Sequence, residues 1–114
     1  MTLIYKILSR VEWEAAQAAG QLEGSALDLA DGFIHLSGAD QAQETAARWF
    51  AGQTDLVMLG VEAEALGEAL KWEASRGGAL FPHLYRPLLP SEVASQKSIE
   101  LDADGVPQLG DVSA

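Results

Sequence analysis

The chain contains no cysteine. This excludes a disulfide framework, a zinc knuckle, an iron–sulfur cluster and a thiol nucleophile. Basic residues are scarce: 7 Lys and Arg stand against 17 Asp and Glu, a net charge of −10 with His neutral. Nucleic-acid binding rests largely on Lys and Arg neutralising phosphates, so no nucleic-acid partner is expected. An anionic membrane surface is disfavoured for the same reason. A small phosphate-bearing ligand stays open, because two or three clustered cations hold one. No apolar run approaches the ~20 residues of a membrane span. Residues 1–8 lack a basic stretch leading into a long apolar one, so the reading predicts no secretory signal and a cytoplasmic location. No glycine-rich loop joins a strand to a helix, which excludes a Walker loop and a dinucleotide fingerprint. A serine nucleophile on a Gly-x-Ser-x-Gly elbow is also missing.

What is present suits a globular chain. Of its 114 residues 48% are hydrophobic, 19 of them Ala, and 8 are aromatic. The length predicts one domain over residues 1–109 and a flexible tail over 110–114. Thr2–Leu8 reads as a strand in which Lys6 shares a face with Ile4 and Leu8. Lys6 itself reads as a side chain whose stem snorkels to water. Ser9 and Glu12 form a capping box for a helix from about Arg10 to Gly20, with Val11, Ala15, Ala18 and Leu22 as its apolar stripe. Residues 23–31 read as a loop carrying Leu27 and Leu29 as apolar pegs.

Gly32–Ser37 reads as one strand, with Phe33, His35 and Ser37 on one face and Ile34 and Leu36 on the other. Ser37 and Asp40 are positioned to cap a helix reaching about Ala51. Its buried face would be Ala42, Ala46, Trp49 and Phe50. Asp55–Val61 is an almost unbroken apolar run, the pattern of a central strand. With Trp49, Phe50 and Leu56–Leu59 in the core, Phe50→Ala is expected to cost about 3–5 kcal/mol. Leu70–Ser75 alternates as a strand, Arg76-Gly77-Gly78 breaks it, and Phe81–Pro90, with three prolines, reads as irregular extended backbone. Val93–Leu101 and Val106–Leu109 read as strands joined by a turn at 102–105. The order β-α-β-α-β-β-loop-β, with helices mainly in the N-terminal half, predicts an α+β fold.

Few groups can carry chemistry. His35 lies mid-strand and reads equally as a satisfied core residue or an acid–base group. His83, Tyr85 and Arg86 fall within four residues of a proline-flanked loop, where a scaffold commonly holds a site. Glu73 reads first as a solvated strand edge and second as a carboxylate near that loop. Neither His has a partner at i+4, and a His35, His83, Glu73 triad has no supporting spacing, so no metal is expected. Lys6, Arg76 and Arg86 are the cations available to a pyrophosphate. Whether His35 and His83 meet in space stays open. A single ligand site requires them within about 10 Å.

The segment Asp31-Gly32-Phe33-Ile34-His35-Leu36-Ser37, the helix with Ala46, Trp49 and Phe50, and then Asp55-Leu56-Val57-Met58-Leu59, Leu70-Lys71-Trp72-Glu73 and Phe81-Pro82-His83-Leu84-Tyr85 resemble the family called domain of unknown function 952. The resemblance runs over about residues 3–107. It implies an ADP-ribosyltransferase-like fold of two small split sheets with a nucleotide cleft between them. In such folds a first-strand polar residue, usually His, holds the nicotinamide ribose, an aromatic residue on the next strand stacks on nicotinamide, and a later Glu assists transfer. Lys6 stands at the first position and His35 at the second; the third has no clear Glu, and His83 and Tyr85 are the polar residues nearby. Arg86 replaces the Gly that usually follows the Phe-Pro-His-Leu-Tyr motif. The resemblance thus implies His35, His83 and Tyr85 as catalytic residues and Lys6, Ser37, Glu73, Phe81 and Arg86 as substrate-binding residues. The implied function is a pocket for NAD or ADP-ribose, with ADP-ribosyl transfer or NAD hydrolysis as activity. The alternative is a degenerate, non-catalytic module that binds a ligand or a protein.

Overall fold

A computed structural model describes residues 2–110 and 112. The apolar run of the fifties becomes the strand on which the large sheet is built: β4, Leu56–Glu62, is buried at every residue but its last. It pairs antiparallel with β1, Leu3–Ser9, on one side and with β7, Val93–Leu101, on the other. Two-residue strands flank these, β3 at Ser37–Gly38 and β8 at Pro107–Gln108, giving five strands in the order β3-β1-β4-β7-β8. The β4–β7 register slips between Gly60 and Val61. Gly60 packs closely there: a Cβ would displace the Ser95 hydroxyl and press on the Tyr5 ring. A second sheet of three strands has the order β2-β6-β5: β2 is Ile34–His35, β6 is Leu80–Leu84 and β5 is Leu70–Ala74. Among the described residues strand pairs are antiparallel throughout, and the three α-helices precede residue 50. The fold is α+β, as the element order predicts.

Each face of the large sheet carries its own apolar cluster. Ile4, Leu8, Val57, Leu59 and Val61 meet Ile34, Leu36 and Leu84 of the small-sheet side together with Trp13, Leu22, Leu66 and Leu88. Tyr5, Ile7, Leu56, Met58 and Ile99 are covered by Ala42 and Ala46 and by Leu109. Leu59, Leu84, Leu88 and Leu109 are wholly buried, and each such side chain contributes about 1.5–3 kcal/mol.

Several local expectations need correction. Helix α1, Arg10–Ala19, has the predicted Ser9 cap and Gly20 stop, but it buries Trp13 and Ala16. Val11 is 71% exposed. The helix has turned to bury its largest apolar side chain, and the Trp13 Nε1–H donates to Gln96 Oε1 at 2.6 Å. The loop expected at 23–31 contains a six-residue helix, α2, Ala26–Asp31, closed by a Ser25–Asp28 capping box. Its Leu27 and Leu29 point outward and are exposed. The strand expected over 32–37 is two strands in different sheets. Helix α3 spans Ala42–Trp49 without a side-chain cap. Ser37 instead donates its hydroxyl proton to Thr45 Oγ1 at 3.0 Å. Of its expected buried face Ala42 and Ala46 hold, Phe50 is half-buried and Trp49 is 57% exposed.

The first part of the proline-rich segment read as irregular, residues 81–84, belongs to the central strand of the small sheet, β6, while residues 85–89 after it lie outside any named strand or helix. Proline is normally confined to sheet edges because it cannot donate to the ladder. A residue's N and C=O face the same side of a strand. The Pro82 carbonyl accepts from Leu36 N–H at 3.0 Å, so the missing donor faces the point where the chain leaves β2 for the other sheet. Val112 packs half-buried against the second cluster. Residues 111, 113 and 114 of the expected tail lie outside the described residues. Among the described residues no helix is long and apolar enough to cross a membrane.

Candidate functional site

Residues 33–38 form a strap between the sheets. Ile34 and His35 pair with β6, and two residues later Ser37 and Gly38 pair with β1. The strap borders a cleft of about 470 Å³, within the range of small-ligand sites. β1 supplies Lys6 to its wall, α2 supplies Asp28 and Asp31, and the strap supplies His35 and Ser37. α3 adds Thr45 and Trp49, with Phe50 just beyond it, and the small sheet adds Phe81 and His83, with Ser75 just past the end of β5.

Asp28 organises one side. It is 2% exposed and accepts four hydrogen bonds. Lys6 Nζ donates to Oδ2 at 2.7 Å and Ser25 N–H to the same oxygen at 2.9 Å. His35 N–H donates to Oδ1 at 3.1 Å, and His35 Nδ1 lies 2.6 Å from Oδ1. Burial pushes the Asp28 carboxyl up, but the Lys6 charge and the bonds from Lys6, His35 and Ser25 outweigh it, and the net direction is downward. Lys6 does not snorkel: it is buried, and its ammonium also donates to the His35 carbonyl at 3.1 Å. The other ring nitrogen of His35 faces Asp31 Oδ2 at 3.0 Å.

His83 organises the other side. It sits opposite His35 in the β2–β6 register, and the two ring centroids are 5.5 Å apart. The histidines therefore share one site. The Phe33 ring stacks on His83 at 4.1 Å and lies 4.6 Å from His35 and 5.2 Å from Tyr85. His83 Nδ1 is 2.9 Å from Glu73 Oε1, which also accepts the Tyr85 hydroxyl proton at 2.7 Å. Those two bonds, the Tyr85 one first, hold the Glu73 carboxyl below its usual range, and the same bond raises the Tyr85 phenol. An ionised carboxylate only accepts, so Nδ1 carries the proton. In the neutral ring Nε2 then carries the lone pair. Nε2 is buried and has no hydrogen-bond partner, and an unpaired buried polar group costs about 1–3 kcal/mol.

Most of the residues singled out from sequence converge here. Lys6, His35, Ser37, Phe81 and His83 line the cleft, and Glu73 and Tyr85 act on it through His83. Glu73 is thus a partner of His83 rather than a mere solvated edge. Arg86 is not on the cleft wall. Its guanidinium donates to both Glu92 carboxylate oxygens at 2.8 and 2.6 Å and to the Pro87 carbonyl, so the expected anion hook is already engaged. The Arg76 side chain lies outside what is described. Sequence reasoning missed Asp28 and Asp31. Their signal was the Ser25-x-x-Asp28 spacing of a capping box. Among the described residues no group of three or more His, Asp and Glu is arranged to hold a metal ion.

Protein CC0527 from Caulobacter crescentus is similar throughout. Its crystal structure shares 75% identity, covers 96% of each chain and gives a TM-score of 0.95. Its solution NMR structure gives 0.87 at 76% identity, covering 97% of this chain and 96% of that one. No curated protein matches the sequence significantly. The profile of the protein family of unknown function DUF952 matches residues 7–96. That match spans most of the chain and both histidine motifs, and the chain belongs to the DUF952 family.

Proposed function

We propose that the cleft binds a small nucleotide-like ligand and that His83, oriented by Glu73, is its acid–base group. The single observation behind this is His83 Nε2, a buried lone pair on a cleft-lining ring with no partner. A general base needs a free nitrogen, a fixed tautomer and a substrate proton within reach. Glu73 supplies the tautomer, and Tyr85 holds Glu73 in place. The ring would take a proton at Nε2 from a ligand O–H or N–H while Nδ1–H stays on Glu73, and would return it to a leaving group. The ionised Glu73 steadies the imidazolium formed between these steps.

A cleft between a five-stranded and a three-stranded sheet, with His35 and His83 side by side, supports an ADP-ribosyltransferase-like arrangement. NAD and ADP-ribose are therefore the first ligands to try, with ribosyl transfer or NAD hydrolysis as the activity. The proposed compartment is the cytoplasm. A thermal-shift titration with NAD, ADP-ribose and nicotinamide on the wild type and on His83→Phe, which keeps the ring stack on Phe33, tests this. A ligand at 100 times its dissociation constant stabilises by about 2.7 kcal/mol, a rise of roughly 10 °C for a domain this size. A rise in the wild type that is lost in the variant is expected. No rise with any ligand, or equal rises in both proteins, would refute the reading.

One observation favours the second reading, a non-catalytic binding module. The first-strand Lys6 is fully occupied by Asp28 and the His35 carbonyl and offers a ligand little. Binding without turnover of any bound nucleotide would support it.

A further inference from the structure

We infer that the cleft selects a planar, N–H-bearing heterocycle without a phosphate, neutral or singly cationic. The inference rests on the reading of the cleft as a ligand site and restricts what enters it: the wall takes the ring of a nucleotide-like molecule, and the diphosphate of NAD or ADP-ribose stays outside it. Three observations carry it.

The first is the matching of charge. Among the described residues the basic groups on the cleft wall already face carboxylates. Lys6 lies 2.7 Å from Asp28, and the two ring nitrogens of His35 lie 2.6 and 3.0 Å from Asp28 and Asp31. Arg86 is bound to Glu92 off the wall. A phosphate needs donors with surplus positive charge, and the side chains described on this wall have none to spare. The chain's net charge of −10 adds long-range repulsion.

The second is the sign of the buried side-chain atom that, among the described residues, has no hydrogen-bond partner, His83 Nε2. His83 Nδ1–H is committed to Glu73, so neutral Nε2 accepts. Its natural partner is a ligand N–H, such as a ring amine or carboxamide, and an anionic oxygen there would face a lone pair. The third is the apolar part of the wall. Phe81 comes from the small sheet and Trp49 and Phe50 from the end of α3, and Trp49 keeps 57% of its surface free beside the cleft. Aromatic faces of this kind take flat rings.

The test uses two pairs of compounds that differ mainly in charge: nicotinamide against nicotinate, and adenosine against AMP. Each is titrated by calorimetry against the wild type, His83→Phe and Asp31→Asn. The uncharged member of at least one pair should bind ten-fold or more tighter than its anionic partner. Raising the ionic strength should narrow that gap, because screening weakens repulsion. Asp31→Asn should also narrow it, by three-fold or more, and His83→Phe should weaken the uncharged member ten-fold or more. If the anion binds as tightly or more tightly, the class assignment is overturned while the cleft remains a ligand site. If none of the four compounds binds, and NAD and ADP-ribose also give no thermal shift, the site reading itself falls and this inference falls with it.

Discussion

Asp28→Asn is the substitution the geometry speaks to most directly. The carboxylate takes two hydrogen bonds at each oxygen, from Lys6 Nζ and Ser25 N–H at Oδ2 and from His35 N–H and Nδ1 at Oδ1. An Asn side chain has one carbonyl oxygen. Whichever way the amide turns, its NH2 points at a pair of donors, and the ammonium of Lys6 loses its counter-charge. Lys6 is 7% exposed, so that charge stays buried. Breaking a buried pair by removing one partner costs about 3–5 kcal/mol, mostly because the other charge is left uncompensated. The total stability of a domain is about 5–15 kcal/mol, so the loss is a large part of it. Urea denaturation followed by tryptophan fluorescence reads it as a drop in midpoint, and the melting temperature should fall by roughly 12 °C or more. Adding Lys6→Met removes the stranded charge while keeping an unbranched apolar stem. The double variant should therefore recover at least about 1 kcal/mol relative to additivity. A loss below about 1 kcal/mol in Asp28→Asn, or strict additivity in the double variant, would refute the account of Asp28 as the hub of a buried network.

Stability should depend on pH in the acid range. Asp28, Glu73 and Glu92 are all lowered in the folded chain. As pH falls the unfolded chain therefore takes up their protons first. The stabilisation is full above about pH 5 and is lost below the ordinary carboxylate range near about 4. Denaturation midpoints taken from pH 7 to pH 3 should show this, and the profile of Asp28→Asn should be flatter. Phe50→Ala should cost about 1–3 kcal/mol rather than the 3–5 expected from sequence, because the ring is only half-buried. Equilibrium unfolding gives the value, and a loss above about 3 kcal/mol would contradict the observed packing. Trp49→Ala should change stability by less than about 0.5 kcal/mol while weakening any ligand that shifts the wild-type melting temperature. An unchanged affinity would remove Trp49 from the cleft wall.

The parts of the fold legible in the sequence were those whose local signal and tertiary role agree. The run at 55–61 is apolar on both faces because β4 has a cluster on each side. Ser9 and Gly20 bound a helix wherever that helix packs. The failures come from tertiary packing overriding local pattern. At α1 Val11, Ala15 and Ala18 suggest one face, and Trp13 wins the other, while Leu22 beyond the helix is buried as expected. At β6 the prolines argued against a strand, yet the donor lost at Pro82 is one the chain no longer needs. At 23–31 a helix of six residues is too short for periodicity, and its two leucines face outward, so the buried Asp28 between them looked like loop polarity. The site was half visible. His35, His83 and Tyr85 stood out by type and context, whereas the status of Lys6, Glu73 and Arg86 depended on partners 22, 10 and 6 residues away.

The strap has a consequence for how the chain comes apart. Only Leu36 separates the residues hydrogen-bonded into the small sheet from those bonded into the large one, and Leu36 is itself bonded to Pro82. Neither sheet can melt without pulling on the other through a single residue. The core that would hold the large sheet alone includes Ile34 and Leu84 from the small one. Partial unfolding should therefore be suppressed, with no long-lived half-open state. Native-state hydrogen exchange reports this directly: amides in β1, β4 and β6 should share one opening free energy, equal to that of global unfolding.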